Sequence, residues 1–89
     1  MAYNVKLSPR AARQYQKLDP SIQPRFHPAL EALRCNPLSG PQVKRLKGRL
    51  HEYFRYRVGD YRFLYIVAQQ ERMVYVDYIQ HRKDVYRRG

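Results

Sequence analysis

The chain predicts an α+β fold: an N-terminal strand, a two-helix hairpin and then a three-stranded antiparallel meander that completes one twisted sheet. Three observations predict it. Ser8-Pro9 and Asp19-Pro20 are cap-and-proline signals, each followed by apolar residues at helical spacing. Residues 51–58, 61–68 and 73–81 are rich in aromatic and β-branched residues and read as strands. Gly59-Asp60 divides the first two of these with a two-residue turn of the positive-φ type, which matches strand twist. The 89 residues make one domain, 1–89, with material for a single modest core.

Residues 3–7 alternate Tyr3, Val5 and Leu7 against Asn4 and Lys6, a short strand. After the Ser8 cap, Ala11, Tyr15 and Leu18 fall at i, i+4 and i+7, so the first helix runs to about Lys17. In the second helix Ile22, Phe26, Ala29, Leu30 and Leu33 share a face before Asn36-Pro37 stops it. Pro24 and Pro28 each remove a backbone donor and crowd the preceding turn, at roughly 3 kcal/mol inside a regular helix. A kinked or split helix that begins late is the expected result. Residues 38–42, LSGPQ, form a loop, and the cation-rich run 44–49 leads into the meander with Gly48 bending the chain.

Composition narrows the function. With 18 Lys and Arg against 7 Asp and Glu, the formal net charge is +11, a field that favours nucleic acid, an acidic protein or an anionic membrane. No apolar run approaches the ~20 residues of a spanning helix and no signal peptide opens the chain, which disfavours the membrane. Arginine outnumbers lysine, as suits bidentate recognition of phosphate or carboxylate. Cys35 is the only cysteine, so there is neither a disulfide framework nor a thiolate cluster for zinc, and a reducing cytoplasm is the expected home. Beside Arg34 and ahead of Asn36-Pro37, Cys35 reads as a small filler residue and not as a nucleophile.

The Gly59-Asp60 turn pairs Val58 with Tyr61, Arg57 with Arg62 and Tyr56 with Phe63. Like charges directly opposite cost ~0.2–1 kcal/mol. A fold that keeps Arg57 against Arg62, with Arg55 diagonal on the same face, is expected to use that face for an anion, a polyphosphate above all. Alternation puts His51, Tyr53, Arg55 and Arg57 together with Arg62, Leu64, Ile66 and Ala68, leaving Phe54, Tyr56, Phe63 and Tyr65 to pack on the helices. If the turn within residues 69–72 has two or four loop residues, Leu64 pairs with Asp77, and Met73, Tyr75, Asp77, Ile79 and His81 join the arginine face. A three-residue turn inverts this. In the favoured register Arg55, Arg57, Arg62 and His81 gather over a floor of Leu64, Ile66 and Ile79, with Asp77 close enough to hold an arginine.

Several segments together resemble the RelE/ParE superfamily of type II toxin–antitoxin toxins. They are Tyr3-Asn4-Val5, Lys17-Leu18, Leu46-Lys47-Gly48, the run from Arg55 through Gly59 to Arg62 (R-x-R-x-G-x-Y-R), and the terminal H-R-x-x-x-Y of His81, Arg82 and Tyr86. The resemblance spans nearly the whole chain and is closer to the RelE branch. It implies a ribosome-dependent mRNA endoribonuclease that inhibits translation without metal or other cofactor, by attack of a 2′-hydroxyl on the adjacent phosphate. That reaction needs a base for the 2′-proton, cations for the phosphorane and an acid for the departing 5′-oxygen.

Carried over by the resemblance, Arg62 stabilises the phosphorane. Arg55 stands where RelE-type enzymes have a functional lysine, and Tyr53 stands at a second such lysine position. Tyrosine supplies no cation there, but it can stack on a base. His81 falls in the last-strand region where a basic catalytic group is expected, and an imidazole suits proton transfer near neutral pH. Tyr86 matches the C-terminal family tyrosine that orients the nucleophile or stacks on a base. Arg55, Arg62, His81 and Tyr86 are thus the catalytic candidates, and Tyr53, Arg57 and Arg82 candidates for RNA or phosphate binding. Lys44, Arg45, Lys47 and Arg49 are candidates for holding rRNA phosphates, with a steep salt dependence.

The implied partners are a cognate antitoxin covering the arginine face, the ribosome with its mRNA, and operator DNA only through the antitoxin complex. Each side chain also has a plainer reading: the arginines as solvated strand residues, His81 as a strand-end cap, Tyr86 as tail packing. His27 and His51 read as structural or solvated. The competing functions are a ParE-like toxin directed at DNA gyrase without a nuclease site, and a co-repressor that acts only with its antitoxin.

Overall fold

The computed structural model describes residues 2–83. Strand β1 (Asn4–Leu7) leads into helix α1 (Pro9–Gln16), a 3-10 turn (Gln23–Arg25) and helix α2 (Phe26–Cys35). Strands β2 (Val43–Arg45), β3 (Phe54–Val58), β4 (Tyr61–Ala68) and β5 (Met73–His81) follow, with a second 3-10 turn (Gly48–Leu50) between β2 and β3. The sheet order is β1-β5-β4-β3-β2, with β1 parallel to β5 and the other pairs antiparallel. No helix of the described residues is long and apolar enough to cross a membrane.

Ser8 starts α1 as expected: its hydroxyl accepts from the Ala11 N–H at 2.9 Å and Pro9 takes the first helical position. The two prolines of the second helix act as their chemistry requires. Pro24 lies in the 3-10 turn, and α2 begins at Phe26 with Pro28 still in its first turn, where no intrahelical donor is lost.

One core lies between the helices and one face of the sheet. Ala11 of α1 and Phe26, Ala29 and Leu33 of α2 pack with Phe63, Tyr65, Val74, Val76 and Ile79. Phe26 is its aromatic centre, edge-on to Phe63 at 4.9 Å and to Tyr61 at 5.8 Å. Tyr65 is fully buried and donates to the Pro37 carbonyl at 2.8 Å. The Gly59-Asp60 hairpin has the expected register, Arg57 opposite Arg62 included, and Gly59 takes φ +59°. The next turn closes with four residues, since Ala68 pairs with Met73.

Three expectations are corrected. Residues 43–45, which take in the start of the cation run 44–49, form an additional edge strand, and β3 starts only at Phe54, because His51 closes a 3-10 turn. Cys35 does not fill space but lies exposed at the end of α2. The third correction concerns β5. Tyr65 pairs with Val76 but Leu64 pairs with Tyr78, so a bulge leaves Asp77 as an extra residue, and side-chain alternation reverses beyond it. Ile79 therefore joins the core, and His81 sits opposite Tyr61 on the helix side, ring centroids 4.8 Å apart.

The bulge falls where β1 ends. Leu7 is the last residue of β1 paired with β5, so the outer edge of β5 beyond Val76 needs other partners. Helix α1 and its cap supply them. Ser8 Oγ donates to the Asp77 carbonyl at 2.5 Å, and the Gln14 side-chain oxygen accepts from the Ile79 N–H at 2.7 Å.

Candidate nucleic-acid interface

The sheet face turned away from the helices carries the candidate site in three successive levels. Nearest the Gly59 hairpin, Arg57, Arg62 and Gln80 are direct cross-strand neighbours. In the next level Lys44, Arg55, Leu64 and Tyr78 line up across four strands. Beyond them lie Tyr53 and Asp77, joined by a hydrogen bond from Tyr53 Oη to Asp77 Oδ2 at 2.5 Å.

Leu64 anchors the middle. It is fully buried although it belongs to the face opposite the main core. Tyr78 beside it is edge-on to Tyr53 at 6.2 Å and lies under the Arg10 guanidinium at 4.4 Å. Arg10, from the first turn of α1, also reaches Asp77 Oδ1 at 3.6 Å.

The cations are held near one another without neutralisation. Among the described residues, Arg55, Arg57 and Arg62 have no carboxylate partner. Arg62 Nε donates to Gln80 Oε1 at 2.9 Å, and Arg55 Nη1 donates to the Gln42 carbonyl at 3.0 Å. Burial, together with Arg57 and then Arg62, pushes the Arg55 pKa below the ordinary guanidinium value. An anion docked here relieves that repulsion. Asp77, expected to hold a strand arginine, is engaged instead by Arg10 and Tyr53.

The other candidates are dispersed. His81 is not on this face: its Nδ1 accepts from the Lys83 N–H at 3.0 Å on the helix side. Arg82 lies at the hairpin end, where its N–H donates to the Asp60 carbonyl at 2.7 Å and its guanidinium stands 3.9 Å from the Asp60 carboxylate. Tyr86 lies outside the described residues. Arg45 is turned to the helix side, over the Phe54 ring at 5.6 Å, while Lys47 and Arg49 are exposed around the second 3-10 turn. His27 is exposed and hydrogen-bonded to the Tyr15 hydroxyl, and His51 to the Gly48 carbonyl, consistent with structural roles.

Sequence reasoning missed Gln80, Tyr78 and Arg10. Gln80 and Tyr78 reach the face only through the bulge, and Arg10 reaches it from a helix at the sheet edge. Lys44 was a candidate whose place beside Arg55 was not foreseen. The alternation Val43-Lys44-Arg45 is its signal, though three residues are a short strand.

Comparison with known proteins agrees with this architecture. The family model for the ParE toxin of type II toxin–antitoxin systems, parDE, matches residues 5–86. RelE1 of Methanocaldococcus jannaschii is 32% identical over 89 residues, covering 98% of each chain. The toxin–antitoxin complex RelBE2 of Mycobacterium tuberculosis contains a chain with TM-score 0.82 and 29% identity, covering 92% of this chain and all of that one. The archaeal RelE–RelB complex of Pyrococcus horikoshii gives TM-score 0.78 and 26% identity, covering 92% and 97%. The protein thus belongs to the RelE/ParE superfamily of type II toxin–antitoxin toxins, on its RelE-like branch.

Proposed function

We propose that this toxin is a ribosome-dependent mRNA endoribonuclease whose active face is the outer surface of β2, β3, β4 and β5. The observation that carries the reading is the set Lys44, Arg55, Arg57 and Arg62, four cations on one sheet face around the buried Leu64, the three arginines without a carboxylate partner among the described residues. Such a site recognises a phosphodiester and stabilises the extra charge of a phosphorane. Arg62, held by Gln80, and Arg55, held by the Gln42 carbonyl, are the stabilising pair. Lys44 stands beside Arg55 and supplies the second cation that Tyr53 does not. Tyr86 orients the nucleophile or stacks on a base, by the resemblance of the terminal motif.

In this reading the 2′-hydroxyl attacks the neighbouring phosphate and the 5′-oxygen leaves, without metal. This reading leaves His81, which lies on the helix side of the sheet, out of the proton transfer. Lys47 and Arg49, exposed beyond the site, contact rRNA phosphates. A cognate antitoxin neutralises the toxin by laying carboxylates on the arginines, as the RelB complexes of the structural neighbours support. An open groove of about 590 Å³ at the β1–β5 end of the sheet, bordered by Ile66 and the exposed Tyr75, offers that segment an apolar seat.

The match to a ParE toxin family favours a second reading, a gyrase-directed toxin in which the same cations bind protein or DNA. Purified protein on programmed ribosomes, with mRNA ends mapped by primer extension, separates the two beside a gyrase supercoiling assay. Cleavage within the decoding site with normal supercoiling is expected. Intact mRNA with lost supercoiling supports the gyrase reading instead.

A further inference from the structure

We propose that Tyr53 and Asp77 form the proton relay of the site: Tyr53 Oη takes the 2′-hydroxyl proton as it passes its own proton to Asp77 Oδ2. The inference rests on the ribonuclease reading and supplies the proton acceptor that this reading lacks.

The geometry carries it. A phenol has one proton, and Tyr53 commits it to Asp77 at 2.5 Å. Only oxygen lone pairs remain for a further partner, so the group that meets Tyr53 must be a donor, as a ribose 2′-hydroxyl is. Tyr53 is half-buried and so accessible, and Tyr78 edge-on at 6.2 Å fixes its ring. It lies two residues from Arg55, at most about 7 Å along a fully extended chain. A phosphate seated on Arg55 and Arg62 therefore places its ribose within reach of Tyr53.

Asp77 is built to accept the proton. It is the extra residue of the bulge, Ser8 Oγ ties down its carbonyl, and Arg10 at 3.6 Å holds its carboxylate. The charged and titratable groups that face Tyr53 are Asp77 and Tyr78 from β5 and Arg10 from α1. The hydrogen bond to Asp77, with burial, pushes the Tyr53 phenol up to about 12. A free phenolate is thus scarce near neutral pH, and Tyr53 acts as a base only by handing its proton on.

The step balances. The O2′–P bond forms and the P–O5′ bond breaks; the 2′-proton moves to Tyr53, the Tyr53 proton to Asp77, and the departing 5′-oxygen takes a proton from water. Asp77 then releases its proton to water, leaving a 2′,3′-cyclic phosphate and a 5′-hydroxyl end.

Single-turnover cleavage by the full chain on programmed ribosomes tests the relay. Tyr53→Phe and Asp77→Asn are each expected to slow cleavage about 100-fold, with ribosome affinity within about twofold of the parent. The double variant should be no slower than the slower single one, because the two groups act as a unit. Asp77→Asn should gain rate with pH from about 7 to about 9, since only phenolate then accepts the proton, while the parent stays flat and Asp77→Glu recovers part of the rate. A Tyr53→Phe protein that cleaves within about threefold of the parent, additive losses in the double variant, or an Asp77→Asn profile parallel to the parent overturns the relay while the ribonuclease reading stands. A parent protein that leaves mRNA intact overturns both.

Discussion

Arg62 donates its Nε proton to the amide oxygen of Gln80 at 2.9 Å, across the β4–β5 ladder. The bond fixes the guanidinium without neutralising it. A carboxylate in the same place would hold Arg62 as firmly and cancel the charge a phosphate needs. Gln80→Ala should therefore slow mRNA cleavage only about 3- to 10-fold, the equivalent of about 1 kcal/mol for one lost hydrogen bond. Gln80→Glu should slow it about 10- to 100-fold, because the new charge competes with the substrate. Single-turnover rates of the two variants make the comparison, and a Glu variant at or above the Ala variant contradicts it.

Arg57 is exposed and faces Arg62 directly. Removing one of two opposed cations relieves repulsion in the free toxin, so Arg57→Ser should raise stability to urea by roughly 0.2–1 kcal/mol. The same change should weaken ribosome binding. The gain in one measurement and the loss in the other separate a residue kept for an anion from one kept for the fold.

Lys44 meets the site from the edge strand β2. As a phosphate contact it releases a bound counterion when RNA docks. Lys44→Ala should lower the slope of log affinity against log salt by about one and weaken binding similarly across mRNA sequences. Arg45, turned to the other face over Phe54, should leave the slope unchanged when replaced.

Tyr65 donates to the Pro37 carbonyl inside the core, and burial, then Tyr56, pushes its phenol up. The folded chain thus favours the neutral phenol. Its contribution to stability is complete below the unfolded phenol's pKa of ~10 and is lost as pH climbs through the raised folded value. Tyr53, raised to about 12, adds to the same alkaline loss. Tyr65→Phe should cost about 1–3 kcal/mol near pH 8, from the carbonyl left unsatisfied. It should also lose less stability than the parent between about pH 10 and about pH 12, as urea midpoints at several pH values will show.

Local chemistry made much of this fold legible in the sequence. Gly59-Asp60 admits one tight turn, so the opposition of Arg57 and Arg62 followed directly. Pro24 and Pro28 announced the split second helix because their missing donors are tolerable only near a helix start. The bulge at Asp77 had no such signature. It answers to Ser8 and Gln14, more than sixty residues away, which satisfy the β5 edge where β1 stops. Perfect alternation therefore misplaced His81 and Ile79 and hid Gln80 and Tyr78. β2 shows only charge in the sequence, because its three residues are too few to show a period.

If the arginine face performs chemistry as well as binding, Arg62→Ala separates the two. Single-turnover cleavage on programmed ribosomes should fall about 100- to 1,000-fold while ribosome affinity stays within about twofold of the parent protein. Equal losses in rate and affinity, or cleavage at the parent rate, would make the face a binding surface without a catalytic arginine.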